Sequence, residues 1–551
     1  MNRMKDYAFP FLYFILAPLF FFRKEFIWSK FFVFSLSSVI FLLVITIKIK
    51  KGKGLSYPFF IWAIFTIFSL TSFIYSADWY RSALVISIYF SLLIFLLLAE
   101  ILSPDEKISL IFLSLSSSLV ALTGIMQKFG ILMKPYYTKY GEIDISSTFG
   151  LSNFSAEYIA VAGAFSYSLL KQDKRFYPLT MITFILGFSY IIIAQALAGF
   201  LGFISAVSIY LLFYQRRSLL KAIPLIFAFL ILLFLFTPAK NFIRRGESII
   251  KMKDAPSIFR IECWKSALKI FKDHPIFGVG AGNFEVYVEK YGSERLEALT
   301  DELNVKTKRA HNDFLEVLSE EGVFGFSLFL LFFGIGIYNS LKNKKEEYLP
   351  PVVAYSVISL FSFPVKIIPT AGAFLFSIYL SSKEWRVERW KISNPILYPI
   401  FLLTLIISFF GFRVFKEEYM RREAIVKTLK GELHQALFFI NKAIETNPYE
   451  SDLYFLRAQI YYKMKREFPS AVEDLKKFVK RNPYHGKAYL ILSILEYNLM
   501  RYKESAEHMD KAFEYKKLKD KNFYYSAYKI YQSAGFEDKA LEALILYKNS
   551  Q

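Results

Sequence analysis

Up to residue 412 the chain is a succession of apolar runs about as long as a bilayer is thick, and beyond that point none recurs. Backbone N–H and C=O groups in hydrocarbon need partners inside their own segment, so such runs fold as helices. About 20 residues make one crossing. Candidate spans lie near 8–22, 31–48, 58–75, 82–101, 108–126, 154–170, 177–194, 196–213, 221–237, 322–340, 351–363, 366–382 and 395–412, about thirteen in all. The composition agrees: 55% of residues are hydrophobic and 19% aromatic, where soluble proteins carry roughly 45–50% apolar residues. An ordinary soluble protein and a disordered one are both excluded. The expected fold class is all-α, a polytopic membrane bundle over residues 1–412 with a large outer loop at 238–320, followed by a separate domain at 413–551.

Charge orients the bundle, because Lys and Arg resist translocation. Lys48, Lys50, Lys51 and Lys53 fall on one side with Lys171, Lys174, Arg175, Arg216 and Arg217. Lys342, Lys344, Lys345, Lys383, Arg386, Arg389 and Lys391 join them if thirteen spans alternate. The N-terminus shares that side and is expected in the cytoplasm, with residues 238–320 and everything after 412 outside. The first run follows Arg3 and Lys5 as a signal peptide would, but no Ala-x-Ala pattern ends it, so an uncleaved anchor is expected. Residues 350–382, interrupted by Pro364, Lys366 and Pro369, are long for one span and short for two; the basic cluster at 383–391 favours two. The net charge of +21 is thus largely an orientation signal, and nucleic acid is not an expected partner. Cys263 is the only cysteine, which excludes an intrachain disulfide framework and a cysteine-based zinc cluster.

After residue 412 charged and apolar residues alternate at helical spacing. Ala436, Ala471, Ala506 and Ala540 recur every 34 or 35 residues, Tyr462, Tyr497 and Tyr531 each precede one of them by nine, and Asn447-Pro448-Tyr449 returns as Asn482-Pro483-Tyr484. The period is that of the tetratricopeptide repeat, and the tail resembles three to four such units, although it lacks the Trp and Gly usual in the first helix. The alanines are expected to let paired helices approach, the tyrosines to fill the space between them, and the prolines to open turns. An unrelated helical bundle is the alternative. A stacked α-solenoid would offer a concave surface to a peptide or protein partner.

Polar groups that a membrane would reject mark where chemistry could sit. Two outer segments qualify, 127–153 and 238–320. The longer one is split by charge: residues 238–272 hold nine basic and three acidic residues, residues 273–321 eleven acidic and five basic. The first half could meet an anion, or the halves could pair with each other. Along it run Arg260-Ile-Glu-Cys-Trp264, then His274-Pro275, Gly278-Val-Gly280-Ala-Gly282-Asn283-Phe284, then Arg309-Ala-His311-Asn312-Asp313-Phe314-Leu315-Glu316 and Glu321-Gly322-Val-Phe-Gly325. The glycine run could be an amide nest for phosphate or a permissive turn, and His274 reads as a loop residue. In the shorter segment, Thr148-Phe149-Gly150-Leu-Ser-Asn153 precedes a span, and Asn153 could cap the helix that follows or contact substrate.

The order Arg-x-x-x-Trp, Pro-x-x-Gly-x-Gly-x-Gly-x-Phe, His-Asn-x-Phe-Leu and Glu-x-Gly-x-x-Gly between two late spans resembles the O-antigen ligase and polymerase superfamily of bacterial envelopes. Thr148 to Asn153 is similar to that family's Thr-Phe-Gly-Asn-Pro-Asn segment. The resemblance covers roughly residues 30–385 and says nothing of the tail. It implies a multi-pass protein of the bacterial inner membrane that transfers a glycan from a polyprenyl diphosphate carrier to a lipid, polymer or protein acceptor at the outer face. A guanidinium suits the diphosphate that leaves, which makes Arg260 the first candidate. A histidine can take or orient the acceptor proton, which makes His311 the candidate base, with Asn312 and Asp313 available to hold the imidazole or the sugar. The family's Ser-Arg pair at the start of a span is absent at Ala194-Gln195-Ala196-Leu197, so its phosphate contact would come from Arg244, Arg245 or Arg309. No metal and no cofactor is expected: there is no His-Glu-x-x-His, no cysteine pair and no Asp-x-Asp in an outer loop. A polysaccharide polymerase or protein O-glycosylating relative is the nearer alternative, and a transporter or non-enzymatic assembly scaffold the more distant one.

Overall fold

The computed structural model describes residues 4–20, 27–48, 54–131, 136–137, 143–214, 254–303, 305–387, 394–465 and 467–550. These are almost entirely helical. The body holds α1 (Asp6–Leu19), α2 (Ile27–Lys48), α3 (Tyr57–Ser69), α4 (Trp79–Leu102), α5 (Glu106–Lys128), α6 (Ser152–Gly163), α7 (Tyr177–Ala194) and α8 (Leu197–Tyr214). The outer segment forms α9 (Ala255–Asp273), α10 (Phe284–Tyr291) and α11 (Glu294–Leu303). Then come α12 (Asp313–Lys342), α13 (Leu349–Ser359), α14 (Ile368–Ser382) and α15 (Asn394–Leu429).

Among the described residues seven helices are long and apolar enough to cross a membrane, and Asp6–Leu19, Leu197–Phe213 and Ile368–Ser382 are shorter apolar helices. The protein is a multi-pass membrane protein. The run expected at 154–170 breaks at Ala164 between α6 and the helix Phe165–Gln172, and the run expected at 221–237 lies outside the described residues. The run expected at 351–363 is corrected: its helix stops at Ser359, and residues 360–367 form a turn with a short 3₁₀ segment at Pro364–Lys366. Pro364 disfavours helix in the residue before it and cannot donate a ladder hydrogen bond. At 1.5 Å per residue, α13 spans only about 16 Å, half of a hydrocarbon core of about 30 Å.

Polar contacts sort the helix ends into two faces. On one, Lys383 pairs with Glu106 at 2.9 Å, Arg386 with Glu100 at 3.1 Å, Lys171 with Glu347 at 2.6 Å and Lys107 with Asp173 at 2.8 Å. There too Leu55–Ser56 pairs with Arg386–Val387 as a two-residue antiparallel ladder. On the other face, Tyr75 Oη donates to Phe277 O at 2.8 Å, Asp78 N to Asn283 Oδ1 at 2.9 Å and Ser359 Oγ to Asp313 Oδ2 at 3.2 Å. Helices α13 and α14 are antiparallel, since the turn between them meets Asp313 while Ser382, at the end of α14, accepts from Asn339 near the far end of α12. The chain leaves the described residues at Tyr214 on the face of the basic loops and returns at Asp254 on the opposite one.

The last apolar helix does not end at residue 412. It runs on as one 36-residue helix to Leu429 with Pro399 inside it, and its far part packs into the tail through buried Ala424 beside Ala436, Ile440 and Leu453. The tail continues as α16 (Leu433–Thr446), α17 (Ser451–Met464), α18 (Phe468–Arg481), α19 (Gly486–Asn498), α20 (Tyr502–Tyr515), α21 (Lys521–Ala534) and α22 (Glu537–Asn549). Each packs against the next. Ala436, Ala471, Ala506 and Ala540 are all buried, as close helix approach requires. The tyrosines differ: Tyr531 is 3% exposed and fills an interhelical space, Tyr497 is half-buried against the same core, and Tyr462 is 43% exposed.

The turns that carry the Asn-Pro-Tyr repeat do a different job, docking the tail on the body. Asn447 Nδ2 donates to Tyr80 Oη at 2.6 Å, and Tyr449 packs on Trp79 with ring centres 5.5 Å apart. One repeat on, Tyr484 meets Tyr287 at 5.2 Å. At the next turn Lys516 Nζ reaches Glu297 Oε1 at 2.6 Å. The acidic half of the outer segment therefore pairs with the tail, whose Lys and Arg exceed its acids by seven (26 against 19 over 413–551).

Candidate active site at the outer mouth

The site is assembled where the glycine-rich loop 275–282 lies against a kink in α12. Gly322 sits inside that helix at φ 64°, ψ −166°, which ends one helical stretch and starts another. The two backbones touch: Val279 N donates to Ser319 O at 3.1 Å, Gly280 N to Glu320 O at 2.8 Å and Val323 N to Pro275 O at 2.9 Å. A Cβ on Gly278 would lie 2.3 Å from Glu320 C, and one on Gly322 would lie 2.2 Å from Ile276 O. Glycine is needed here for close approach and for positive φ. The amides of Gly278, Val279 and Gly280 are spent on carbonyls, so the run acts as a packing turn rather than a phosphate nest.

From this junction residues 305–312 run without regular secondary structure to the start of α12. Two anchors hold the end of the segment: Glu316 Oε2 accepts from Ala310 N at 2.9 Å, and Glu316 Oε1 meets Arg309 Nη1 at 3.3 Å. His311 follows in the left-handed region at φ 54°, an uncommon place for a side chain of this size. Trp264 Nε1 donates to its carbonyl at 3.4 Å. Its imidazole lies edge-on between Phe259 and Phe363, with ring centres 5.9 and 5.4 Å away. Burial first, then the charges of Arg260 and Arg309, push the His311 pKa down to about 3, so at neutral pH the ring is uncharged and holds an open nitrogen lone pair. For Arg309, burial opposes the charge, but Glu316 and Glu320 outweigh it and raise the pKa. Cys263 on the same helix as Arg260 is pushed up to about 12 by burial, then by Glu316 and Glu262, and is inert as a thiolate source at neutral pH.

The structure brings together His311, Arg260 and Arg309. The side chains of Asn312 and Asp313 bond groups other than the imidazole. Asn312 caps α12, accepting from Leu315 N at 3.0 Å while its amide donates to Leu360 O at 3.0 Å. Asp313 is fully buried and accepts from Ser359 Oγ at 3.2 Å and Val365 N at 3.1 Å. Both bind the α13–α14 turn to the site, because that turn leaves carbonyl and amide groups that no helix satisfies. Asn153 does not cap its helix: Leu151 holds that position and Asn153 sits second in α6, half-buried. Arg244 and Arg245 lie outside the described residues. His274 lies off the site, stacked edge-on to Tyr287 at 5.5 Å.

Several polar residues at the site carried no signal in the motif reading. Lys366, in the α13–α14 turn and 4% exposed, donates to Tyr89 Oη at 3.1 Å and lies 3.9 Å from Glu316 and 3.7 Å from Glu320. Beneath the arginines this makes an alternating stack of Arg309, Glu316, Lys366 and Glu320. Glu157 in α6 is fully buried, with Ser362 and Arg260 as its polar neighbours. Phe363 stands between His311 and Phe154, one turn before Glu157. A carboxylate inside an apolar run is a functional-site signal in its own right, and that criterion finds Glu157 from sequence.

Residues 182–330 match the family model described as O-Antigen ligase. The O-antigen ligase match runs from within α7 to Leu330 in α12 and so contains Arg260, Arg309, His311, Glu316 and Glu320. Asn153, Glu157, Lys366 and the whole tail lie outside it. No curated protein matches the chain. The O-antigen ligase family supports glycan transfer in a membrane during polysaccharide biosynthesis. At this mouth the arrangement presents two guanidinium groups, an uncharged imidazole and a buried carboxyl group, which are groups for holding an oxyanion and for moving a proton.

Proposed function

We propose that the chain is a membrane glycosyltransferase that moves a glycan from a polyprenyl diphosphate carrier to an acceptor hydroxyl at the outer face of the bacterial inner membrane. The observation that carries it is the convergence of Arg260, Arg309 and His311 at one mouth, inside the stretch that matches the O-antigen ligase model. In the reaction the acceptor oxygen bonds to the anomeric carbon as the bond from that carbon to the phosphate oxygen breaks. The electron pair leaves with the diphosphate, whose growing charge Arg260 and Arg309 stabilise in a partly dehydrated place. His311 takes the proton. A single displacement inverts the anomeric configuration, and no metal takes part. Asn153 and, from the segment outside the described residues, Arg244 and Arg245 serve substrate binding. The tail, outside with the mouth, brings an acceptor or an assembly partner to it.

The test is transfer in vitro by the full-length protein in nanodiscs, with a purified polyprenyl diphosphate glycan and a panel of lipid, glycan and protein acceptors. His311→Ala and Arg260→Ala should each abolish transfer, with the protein still folded and in the membrane. Retained transfer in both variants sinks the reading. A chelator should leave transfer unchanged. In a deletion strain, loss of capped lipid A, of polymer length or of glycoprotein identifies the acceptor. Protease added to spheroplasts should degrade residues 413–551; protection would put the tail in the cytoplasm.

A further inference from the structure

The tail does more than rest on the outer segment. Asp452, the second residue of α17, reaches into a partly buried ionic cluster built from three parts of the chain. Its Oδ1 lies 3.1 Å from Arg81 Nη2 at the start of α4, and its two oxygens accept from Lys306 Nζ at 2.8 and 2.9 Å. Lys306 also pairs with Glu285 Oε1 of α10 at 2.7 Å, and Glu285 in turn pairs with Arg81. Lys308 stands 3.9 Å from Asp452 Oδ2. Burial works against the charged forms, but Lys306, Arg81 and Lys308 hold Asp452 well below the usual carboxylate range, and Arg81 and Lys306 hold Glu285 at about 2. Next to it Ser451 Oγ bonds Asp78 Oδ2 at 3.3 Å and Asn482 Nδ2 bonds Ser451 Oγ at 3.0 Å, so the second repeat turn braces the first.

Lys306 and Lys308 belong to the same irregular segment that carries Arg309 and His311. A helix or strand holds its residues by a backbone ladder, and residues 305–312 have none. Their path is set by side-chain anchors at two ends: Asp452 and Glu285 on Lys306, and Glu316 on Arg309 and Ala310. His311 lies one residue beyond the second anchor, in a left-handed conformation that persists only when its surroundings over-determine it. The tail supplies one of the two carboxylates that anchor Lys306.

We propose that Asp452 is a positioning residue for His311 and Arg309: the repeat tail completes the catalytic segment of the body by clamping Lys306, and is a built-in part of the site as well as a binding surface. The activity arm of the test rests on the glycan-transfer reading; the exchange arm does not.

The experiment compares full-length wild type, Asp452→Asn, Asp452→Glu, Lys306→Met and the double variant Asp452→Asn/Lys306→Met in nanodiscs. Lys476→Met, which breaks an ion pair with Glu496 inside the tail, controls for general loosening of the repeats. A misplacement of a catalytic group by an ångström can cost up to about a hundredfold, so Asp452→Asn is expected to lose about tenfold in kcat with donor KM within about twofold. Asp452→Glu should recover most of that loss, and Lys476→Met should match wild type. Because both single changes break one clamp, the double variant should be no worse than Lys306→Met; a loss equal to the product of the singles would mean independent effects and overturn the proposal. Amide exchange at Ala310 should rise in Asp452→Asn and not in Lys476→Met. If Asp452→Asn unfolds the tail, Lys306→Met alone decides, since it leaves every tail residue intact. Turnover and Ala310 exchange both within twofold of wild type in that variant would refute the clamp. Should wild type transfer no glycan at all, the functional reading fails and the exchange measurement still decides whether the tail holds the segment.

Discussion

The depressed pKa of His311 has a kinetic consequence that can be worked through. In the empty site burial, Arg260 and Arg309 take the imidazole from 6.5 to about 3, a difference on the order of 5 kcal/mol between its two protonation states. A donor diphosphate would bring two or more negative charges to the same arginines. A charge at close range moves a pKa by about 1–3 units, so with donor bound the His311 value should climb to between roughly 4 and 6. The acid limb of kcat/KM reports the free enzyme and that of kcat the complex. The limb in kcat is therefore expected about 1–3 units above the limb in kcat/KM, and donor binding itself activates the base. Initial rates between about pH 2.5 and 9, with a short-chain donor and saturating acceptor, measure both limbs. In His311→Asn the kcat limb should vanish along with most of the activity. Coincident limbs, or a limb that survives in His311→Asn, would refute the electrostatic argument. The same shift has a sign for stability: a histidine whose folded value lies below its unfolded one stabilises the fold fully above pH 6.5, and that contribution is lost as pH falls toward 3.

Three further outcomes are expected. Gly322→Ala adds a Cβ 2.2 Å from Ile276 O at a residue with φ 64°, so the left-handed cost of about 1–2 kcal/mol is joined by a backbone clash; membrane abundance and thermal stability should fall sharply, while Gly334→Ala, with nothing within 4 Å, should not change them. Glu157→Gln keeps the volume but removes the acid beside Arg260, and donor KM or kcat should change by about tenfold or more if that carboxyl group sits in the working site; unchanged kinetics would assign it to packing. Lys366→Met leaves Glu316 and Glu320 without their buried cation and should cost about 3–5 kcal/mol of stability, read as a lower unfolding temperature in detergent.

His311, Arg260 and Arg309 were candidates before any geometry, chiefly because their stretch resembles the O-antigen ligase motifs and because they stand in polar segments between long apolar runs; the structure brings the three together. Asn312 and Asp313 share that stretch, and their spacing looked equally apt; only the tertiary structure reveals their bonds to Leu360 O, Ser359 Oγ and Val365 N. Lys366 read as a flaw in a membrane span. It becomes intelligible once two glutamates from another helix are placed within 4 Å of it. Glu157 passed unnoticed because one acid in an apolar helix forms no motif, and its neighbours Ser362 and Arg260 are more than a hundred residues away.

By itself the sequence determined the helical class and the place where the apolar runs cease, because hydrocarbon length and backbone hydrogen bonding admit one kind of segment. It also determined the side that collects basic loops, and the period of the tail. The tertiary structure alone decided what the repeat is used for. Burial of the four alanines follows from their spacing, but the exposure of Tyr462, the docking of Asn447 and Asp452 on the start of α4 and that of Tyr484 on Tyr287 depend on contacts between residues up to 371 positions apart. Periodicity reports which face of a helix is apolar; it holds no information about which distant charge a turn residue will meet. That is why Asp452, unremarkable in the chain, ends up among Arg81, Lys306 and Glu285 at the base of the segment that carries His311.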